Sequence, residues 1–250
     1  MSIINCQMRF FLGLIALFVI PGSVLAFWDE LLVITRNNDL WIPHLCGFGA
    51  GIPLYFTVIR KMSYLSTFEH ELTHALVALF FFRRIHKFIV TSKQGGQVQY
   101  SGNFGGEFGN LLIGLAPYYL PTYSLIAILV RPALPAGWFP WFDIFIGAIL
   151  AFHVFSTPEE IKLAWTKRSF AGAGDKRKTK SDIGNVGYIF AFLVITGFGV
   201  FLIGLSLQLI GSGYGGTWPF LKQVGKTSYG LYSAWIREIY DYLVRLSVFK

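Results

Sequence analysis

The residues best suited to chemistry form a short cluster of two histidines and a glutamate. His70 and His74 are four positions apart, and Glu71 lies between them. Residues at this spacing lie on one face of a helix, one turn apart, so both imidazoles can bind the same zinc ion. A glutamate beside such a metal can take a proton from water that the metal has made more acidic. The motif therefore predicts a zinc-dependent hydrolytic site.

The place of this cluster in the chain strengthens the metal hypothesis. Glu69, His70, Glu71 and His74 interrupt an apolar run at 64–82. An acidic residue at the centre of a transmembrane helix costs about 2.5–3.5 kcal/mol on the insertion scale. Four ionisable side chains so close together need a partner, and a buried metal ion suits their identity. The alternative is a purely structural polar cluster.

The composition predicts the elements that must hold this cluster. Hydrophobic residues make up 54% of the 250 residues and charged residues 14%, whereas a soluble domain carries about 25% charged residues. Soluble enzymes, secreted disulfide scaffolds and disordered proteins are poor fits. Apolar runs of nearly the length that crosses a bilayer as a helix occupy residues 10–27, 40–59, 64–82, 108–130, 138–155 and 186–210. The sequence therefore predicts an all-α polytopic membrane protein with five to six transmembrane helices.

Three features depart from, or add to, this helical pattern. A β-branched stretch at 88–91, a turn at 93–96 and alternating residues at 97–100 predict a small β-hairpin inserted after the motif helix. A polar, basic loop that is exposed to solvent is expected at 157–185. Gly47 and Gly51 are spaced for close helix packing.

These features divide the chain into three regions. Residues 1–27 are a first transmembrane helix or a signal peptide. Residues 28–210 are a membrane-embedded core that carries the motif. Residues 211–250 begin with a Gly-rich loop and continue as an amphipathic helix, which we expect to lie in the membrane interface or, alternatively, to pack on the bundle.

The distribution of charge predicts the orientation in the membrane. The net charge is +8, and the hairpin and the basic loop share one face if all six runs span. Basic loops stay cytoplasmic, so this face is expected to be cytoplasmic in a multi-pass protein of a cell or plasma membrane. A cleaved signal peptide would place the same loops outside. We attribute the positive charge to contact with the lipid bilayer rather than with nucleic acid.

The motif in its apolar helix, followed by a hairpin bearing Gly95 and Gly96 and by further membrane helices, resembles the site-2 protease family of intramembrane zinc metalloproteases. The resemblance covers about residues 64–210. It implies that His70 and His74 bind Zn²⁺ and that Glu71 is the general base. It also implies that the hairpin corresponds to the membrane-associated β-element of that family.

The same resemblance implies a third zinc ligand, which in the family is an aspartate in a Leu-Asp-Gly motif. This chain has no Leu-Asp-Gly. His153, inside the fifth run, and Asp182, just before the sixth, are the two candidates. The alternative roles are a satisfied core histidine for His153 and a helix N-cap for Asp182.

The expected reaction is hydrolysis of a peptide bond in a membrane protein substrate near the cytoplasmic face. An extended substrate could add as a strand to the hairpin at Gly95, Gly96 and Val98. Asn110 could donate to the oxyanion, and the alternative role, which we favour, is that of a helix-packing amide. Two alternatives stay open: a membrane metalloenzyme acting on lipid, and a non-enzymatic relative whose zinc site is structural or degenerate.

Overall fold

The computed structural model describes residues 3–91, 95–170 and 188–248, which form eight α-helices and one two-stranded sheet. Asp182, most of the basic loop and the tip of the hairpin lie outside the described residues. The elements in chain order are α1 (Ile3–Thr35), α2 (Asn38–Thr57), α3 (Ser63–Phe80), β1 (Arg84–Thr91), β2 (Gly95–Ser101), α4 (Gly106–Tyr119), α5 (Thr122–Val130), α6 (Phe139–Phe170), α7 (Tyr188–Ser212) and α8 (Thr217–Val248).

The described helices include three that are long and apolar enough to cross a membrane. They are Phe10–Thr35 in α1, Ala136–Leu163 in and just before α6, and Ile189–Ser212 in α7. A fourth span is possible if Gly106–Tyr119 and Thr122–Ala133, which meet at an angle of 81°, count as one broken helix. The protein is therefore an integral membrane protein, and three or four of its described helices have the length and hydropathy to cross the membrane. The higher number, five to six, stays a prediction.

The helices α2 and α6 pack closely because glycines remove the side chains between them. A Cβ added to Gly47 would lie 1.9 Å from the carbonyl oxygen of Ile144, and one added to Gly147 would lie 2.1 Å from that of His44. A Cβ on Gly51 would come within 2.8 Å of the Ala151 side chain. The close packing predicted for Gly47 and Gly51 is thus confirmed.

The C-terminal helix α8 runs lengthwise and antiparallel along α1. Tyr232 donates from its hydroxyl to the Leu17 carbonyl at 2.6 Å, and the amide of Gly22 donates to Ser228 at 3.1 Å. Phe220 packs in a buried cluster with Ala26. Over this length the helix packs on the bundle. Its predicted position in the membrane interface stays a prediction.

The helix α4 lies inside the bundle, where its buried face meets α1 and α7. Leu111 and Leu115 of α4 form one core cluster with Leu12 and Ala16 of α1 and Val194 of α7. Burying such a side chain contributes about 1.5–3 kcal/mol to stability if the side chain would otherwise contact water. If it would otherwise contact lipid, its shape determines how the helices pack. The backbone of α4 is therefore held firmly by its neighbours.

The hairpin is confirmed, with strands that begin earlier than predicted. The strands β1 and β2 are antiparallel, and Phe88 pairs with Val98 while Val90 pairs with Gly96. The sheet packs on α3 through an edge-to-face contact between Phe88 and Phe68, whose ring centroids are 5.8 Å apart. The hairpin is thus attached to the helix that carries the motif.

Two expectations about element ends are corrected by the structure. The apolar run at 108–130 is two helices, because Pro121 follows the end of α4 and the chain turns there before α5. The expected solvated loop does not begin at 157, because α6 continues through Phe170 despite an internal Pro158. Side chains of α2 and α3 bind this extension, and these contacts outweigh the loss of one helical hydrogen bond.

Replacing Gly47 with Leu should separate α2 from α6, because the new side chain would overlap backbone atoms. We expect the free energy of unfolding to fall by about 1–3 kcal/mol, as measured by denaturant unfolding in detergent micelles. Gly49→Leu is the matched control, because a Cβ there meets no other described atom within 4 Å. Equal stability of the two variants would contradict the close packing.

Candidate metal centre

The helix α3 presents His70 and His74 toward the same point. Their Nε2 atoms are 3.2 Å apart. The rings meet edge to face, with centroids 4.8 Å apart and planes at 76°. The helical spacing of four residues brings the rings together, as predicted from the motif.

Each ring is oriented by an acceptor at its other nitrogen. His74 donates from Nδ1 to the carbonyl oxygen of Ile113 at 2.7 Å, and His70 donates from Nδ1 to Oε2 of Glu160 at 2.8 Å. A carbonyl and an ionised carboxylate can only accept, so these contacts place the proton on Nδ1 in both rings. A neutral ring held in this way has its lone pair on Nε2, and the two Nε2 atoms face each other.

This arrangement suits a metal ion at one edge of a tetrahedral site. Zinc–nitrogen bonds of about 2.0–2.1 Å at a tetrahedral angle separate two ligand nitrogens by about 3.3 Å. The observed separation of 3.2 Å matches this edge. In the described part of the chain, no group of three or more His, Cys, Asp or Glu side chains is arranged to hold a metal ion. Within the described residues, the structure therefore brings together two of the predicted ligands, His70 and His74, without a third.

The acceptor for His74 exists because of a proline in α4. The carbonyl of Ile113 would ordinarily accept from the amide of residue 117, but residue 117 is proline and has no N–H. His74 takes the place of that missing donor. Pro117 therefore supplies the acceptor that orients the ring.

The acceptor for His70 comes from the extension of α6. Ser66 donates to Oε1 of Glu160, while Oε2 accepts from His70. The preceding residue, Glu159, binds elsewhere, with Arg60 at 2.9 Å and the Tyr55 hydroxyl at 3.1 Å. Two adjacent carboxylates thus bind two different parts of the protein.

His153, a predicted zinc ligand, is placed beside Glu69 of the motif helix. Its Nδ1 lies 3.6 Å from Oε1 of Glu69, and both side chains are 8% exposed. The same carboxylate oxygen accepts from the amide of Tyr123 at 3.4 Å. The ligand roles of His153 and of Asp182, which lies outside the described residues, stay predictions.

Glu71 is buried against the hairpin. Its side chain is so close to Gly96 that a Cβ added to that glycine would lie 2.2 Å from Cγ and 2.7 Å from Oε1 of Glu71. Gly95 next to it has a φ of +81°, which favours glycine. The Gly-Gly pair of the hairpin thus allows β2 to pass directly over the glutamate.

Asn110 accepts a hydrogen bond from Arg83, a buried residue just after the motif helix. Arg83 donates from Nη1 to Oδ1 of Asn110 at 2.5 Å and from Nη2 to the Gly106 carbonyl at 3.1 Å. Its guanidinium also lies 5.3 Å from the centre of the Tyr100 ring. These contacts give Asn110 a packing role, which leaves its predicted oxyanion role a prediction.

The sequence interpretation missed the residues that orient the two rings. Glu160 was assigned to a solvated loop, and Pro117 was given no role in the site. A usable signal was present for Pro117, because a proline inside an apolar helix leaves a carbonyl that must find another donor. No comparable local signal marked Glu160.

Comparison with known families identifies one match. The model of the family described as Peptidase M50B-like matches residues 40–168, just over half of the chain. The match begins in α2 and ends near the end of α6, so it covers the motif, the hairpin and both ring acceptors. No curated protein and no solved structure matches the chain significantly.

Replacing Pro117 with Ala would add an amide that competes with His74 for the Ile113 carbonyl. We expect the helix to form and the affinity for zinc to fall by up to about tenfold, as measured by competition with a chelator. Pro53→Ala in α2 is the matched control, since Pro53 also lies inside a helix. A zinc affinity in Pro117→Ala as high as in the control would show that the ring does not depend on this carbonyl.

Proposed function

The chain belongs to the peptidase M50B-like family of site-2 proteases, and from this we propose that it is an intramembrane zinc peptidase. Its reaction would be hydrolysis of a peptide bond in a membrane protein, near the cytoplasmic face. The observation that carries the proposal is the pair of Nε2 atoms 3.2 Å apart, with both Nδ1 atoms already engaged.

His70 and His74 would hold the zinc ion through Nε2, and His153 or Asp182 would complete the protein ligands. A zinc ion there would polarise the scissile carbonyl and make a nearby water molecule more acidic. The polar groups around the motif agree with this role, because Ile113 and Glu160 orient the two rings through Nδ1 and direct both Nε2 atoms toward one point. An open position beyond three protein ligands is the usual arrangement of a catalytic zinc site.

Glu71 would act as general base and then as general acid. It follows His70 directly and lies buried under the hairpin, where little water competes for its carboxylate. It would accept a proton from the attacking water and return the proton to the leaving amine as the peptide bond breaks. One carboxylate is enough because the two transfers occur in succession.

The hairpin would bind the substrate. A substrate helix must unwind before its carbonyl can be attacked, and an extended segment could then pair with an outer strand edge. The strand β2, with Gly95, Gly96 and Val98, is the closer candidate because Gly96 touches Glu71. Asn110 at the start of α4 would lie near the same path.

The topology proposed with this reaction follows the positive-inside rule. The hairpin and the basic loop would face the cytoplasm, so cleavage would occur near that side of a cell membrane. The partners are then a membrane protein substrate and the lipid bilayer, and no nucleic acid is involved.

Replacing Glu71 with Gln should keep zinc bound and lower the cleavage rate by about 10²–10⁴-fold, because the amide cannot accept the proton. The assay is cleavage of a transmembrane helix substrate in proteoliposomes, with zinc measured by mass spectrometry. Glu238→Gln on the exposed side of α8 is the control. Undiminished cleavage by Glu71→Gln would refute the base assignment. Zinc binding without any peptidase activity in the wild type would favour the lipid-acting or non-enzymatic alternative.

Replacing Gly96 with Ala should displace Glu71 or lift the hairpin, because the added Cβ cannot fit beside the carboxylate. Misplacement by about 1 Å can cost about 10²-fold in rate, so we expect a loss of that size in kcat with zinc content unchanged. Gly114→Ala is the control, since a Cβ there meets no other described atom within 4 Å. Full activity of Gly96→Ala would show that the hairpin does not need this close approach.

A further inference from the structure

We propose that Glu160 is a positioning residue that sets the metal affinity of the site through His70. The proposal rests on the zinc-binding part of the proposed function. It assigns a role to a residue that neither ligates the metal nor belongs to the His-Glu-x-x-His motif.

The two rings donate to acceptors of different charge. His74 donates to an uncharged carbonyl, whereas His70 donates to a carboxylate at 2.8 Å. A charged acceptor holds an imidazole N–H more strongly than a neutral one and makes the opposite nitrogen a better donor to a metal. Nε2 of His70 should therefore be the stronger of the two ligands.

Glu160 is itself held in place by other residues. Its other oxygen accepts from Ser66, one turn before His70 on the same helix. Its neighbour Glu159 is anchored separately by Arg60 and Tyr55. The side chain of Glu160 is 21% exposed, so its charge is only partly screened by solvent. These contacts hold the carboxylate beside the His70 ring.

The carboxylate of Glu160 also brings negative charge close to the candidate metal site. Neutral imidazole ligands such as His70 and His74 leave the charge of a divalent ion uncompensated in surroundings of low polarity. A carboxylate one ring away offsets part of that charge without occupying a coordination position. Glu160 thus supports metal binding in two ways, by orienting His70 and by compensating charge.

The experiment compares zinc affinity in three variants of the full chain, purified in detergent. Glu160→Ala removes both the hydrogen bond and the charge, and we expect the affinity to fall about 10–100-fold. Glu160→Gln keeps a hydrogen-bond acceptor but no charge, so its loss should be intermediate. Glu159→Gln is the matched control, because Glu159 binds Arg60 and Tyr55 rather than the ring, and its affinity should equal that of the wild type.

A spectroscopic measurement separates positioning from folding. Each variant is saturated with Co²⁺, whose visible absorption reports the ligand field. The bands of Glu160→Gln should shift in energy relative to the wild type while their intensity indicates an unchanged coordination number. Glu159→Gln should keep the wild-type spectrum. A purely structural role of Glu160 would lower the folded fraction of all such variants but leave the spectrum of the folded protein unchanged.

The outcomes distinguish this proposal from the one on which it rests. If the wild type binds zinc and both Glu160 variants bind it equally well with unchanged cobalt spectra, only the positioning role is overturned. If the wild type binds no zinc, the metal site and the positioning role both fail. Should Glu160→Ala not fold, the isosteric Glu160→Gln still gives the affinity and the spectrum.

Discussion

The site depends on one hydrogen bond, from Nδ1 of His74 to the carbonyl of Ile113. Inside a bilayer every backbone polar group needs a protein partner, and a ligating imidazole needs an acceptor that fixes its tautomer. Pro117 meets both needs, because it removes the helical donor for that carbonyl and leaves it for the ring. Since α4 is packed in the core between α1 and α7, the position of the carbonyl, and hence of the ring, follows from the packing of the bundle.

The same principle joins the C-terminal helix to the bundle. Pro21 lies inside α1 and cannot donate to the carbonyl of Leu17, four residues before it. Tyr232 of α8 donates to that carbonyl instead. In both cases a proline that would weaken an isolated helix creates an acceptor for a side chain from another helix. Prolines in these helices therefore hold separate helices in a defined register, which is a role that composition alone does not reveal.

The sequence was sufficient wherever the determining contacts are local. The helical spacing of His70 and His74, the alternation in β2 and the spacing of Gly47 and Gly51 each predicted an arrangement that the structure has. It was insufficient where long-range contacts decide. The helix α6 continues past Pro158 because Glu159 and Glu160 bind residues about a hundred positions earlier, and no local pattern encodes those partners.

Long-range contacts link the motif helix α3 to α5, α5 to α6, and α6 back to α3. The hydroxyl groups of Thr73 in α3 and Thr122 at the start of α5 form a hydrogen bond. Arg131 at the end of α5 makes a bidentate ion pair, at 2.6 and 2.8 Å, with the buried Asp143 of α6. Glu160 of α6 in turn accepts a hydrogen bond from His70 of α3. Breaking a buried ion pair such as that of Arg131 leaves an uncompensated charge, so this link resists separation. The rings at the candidate metal centre are thereby positioned through two points on α6, Asp143 and Glu160, which are about 25 Å apart at the helical rise, and not by the motif helix alone.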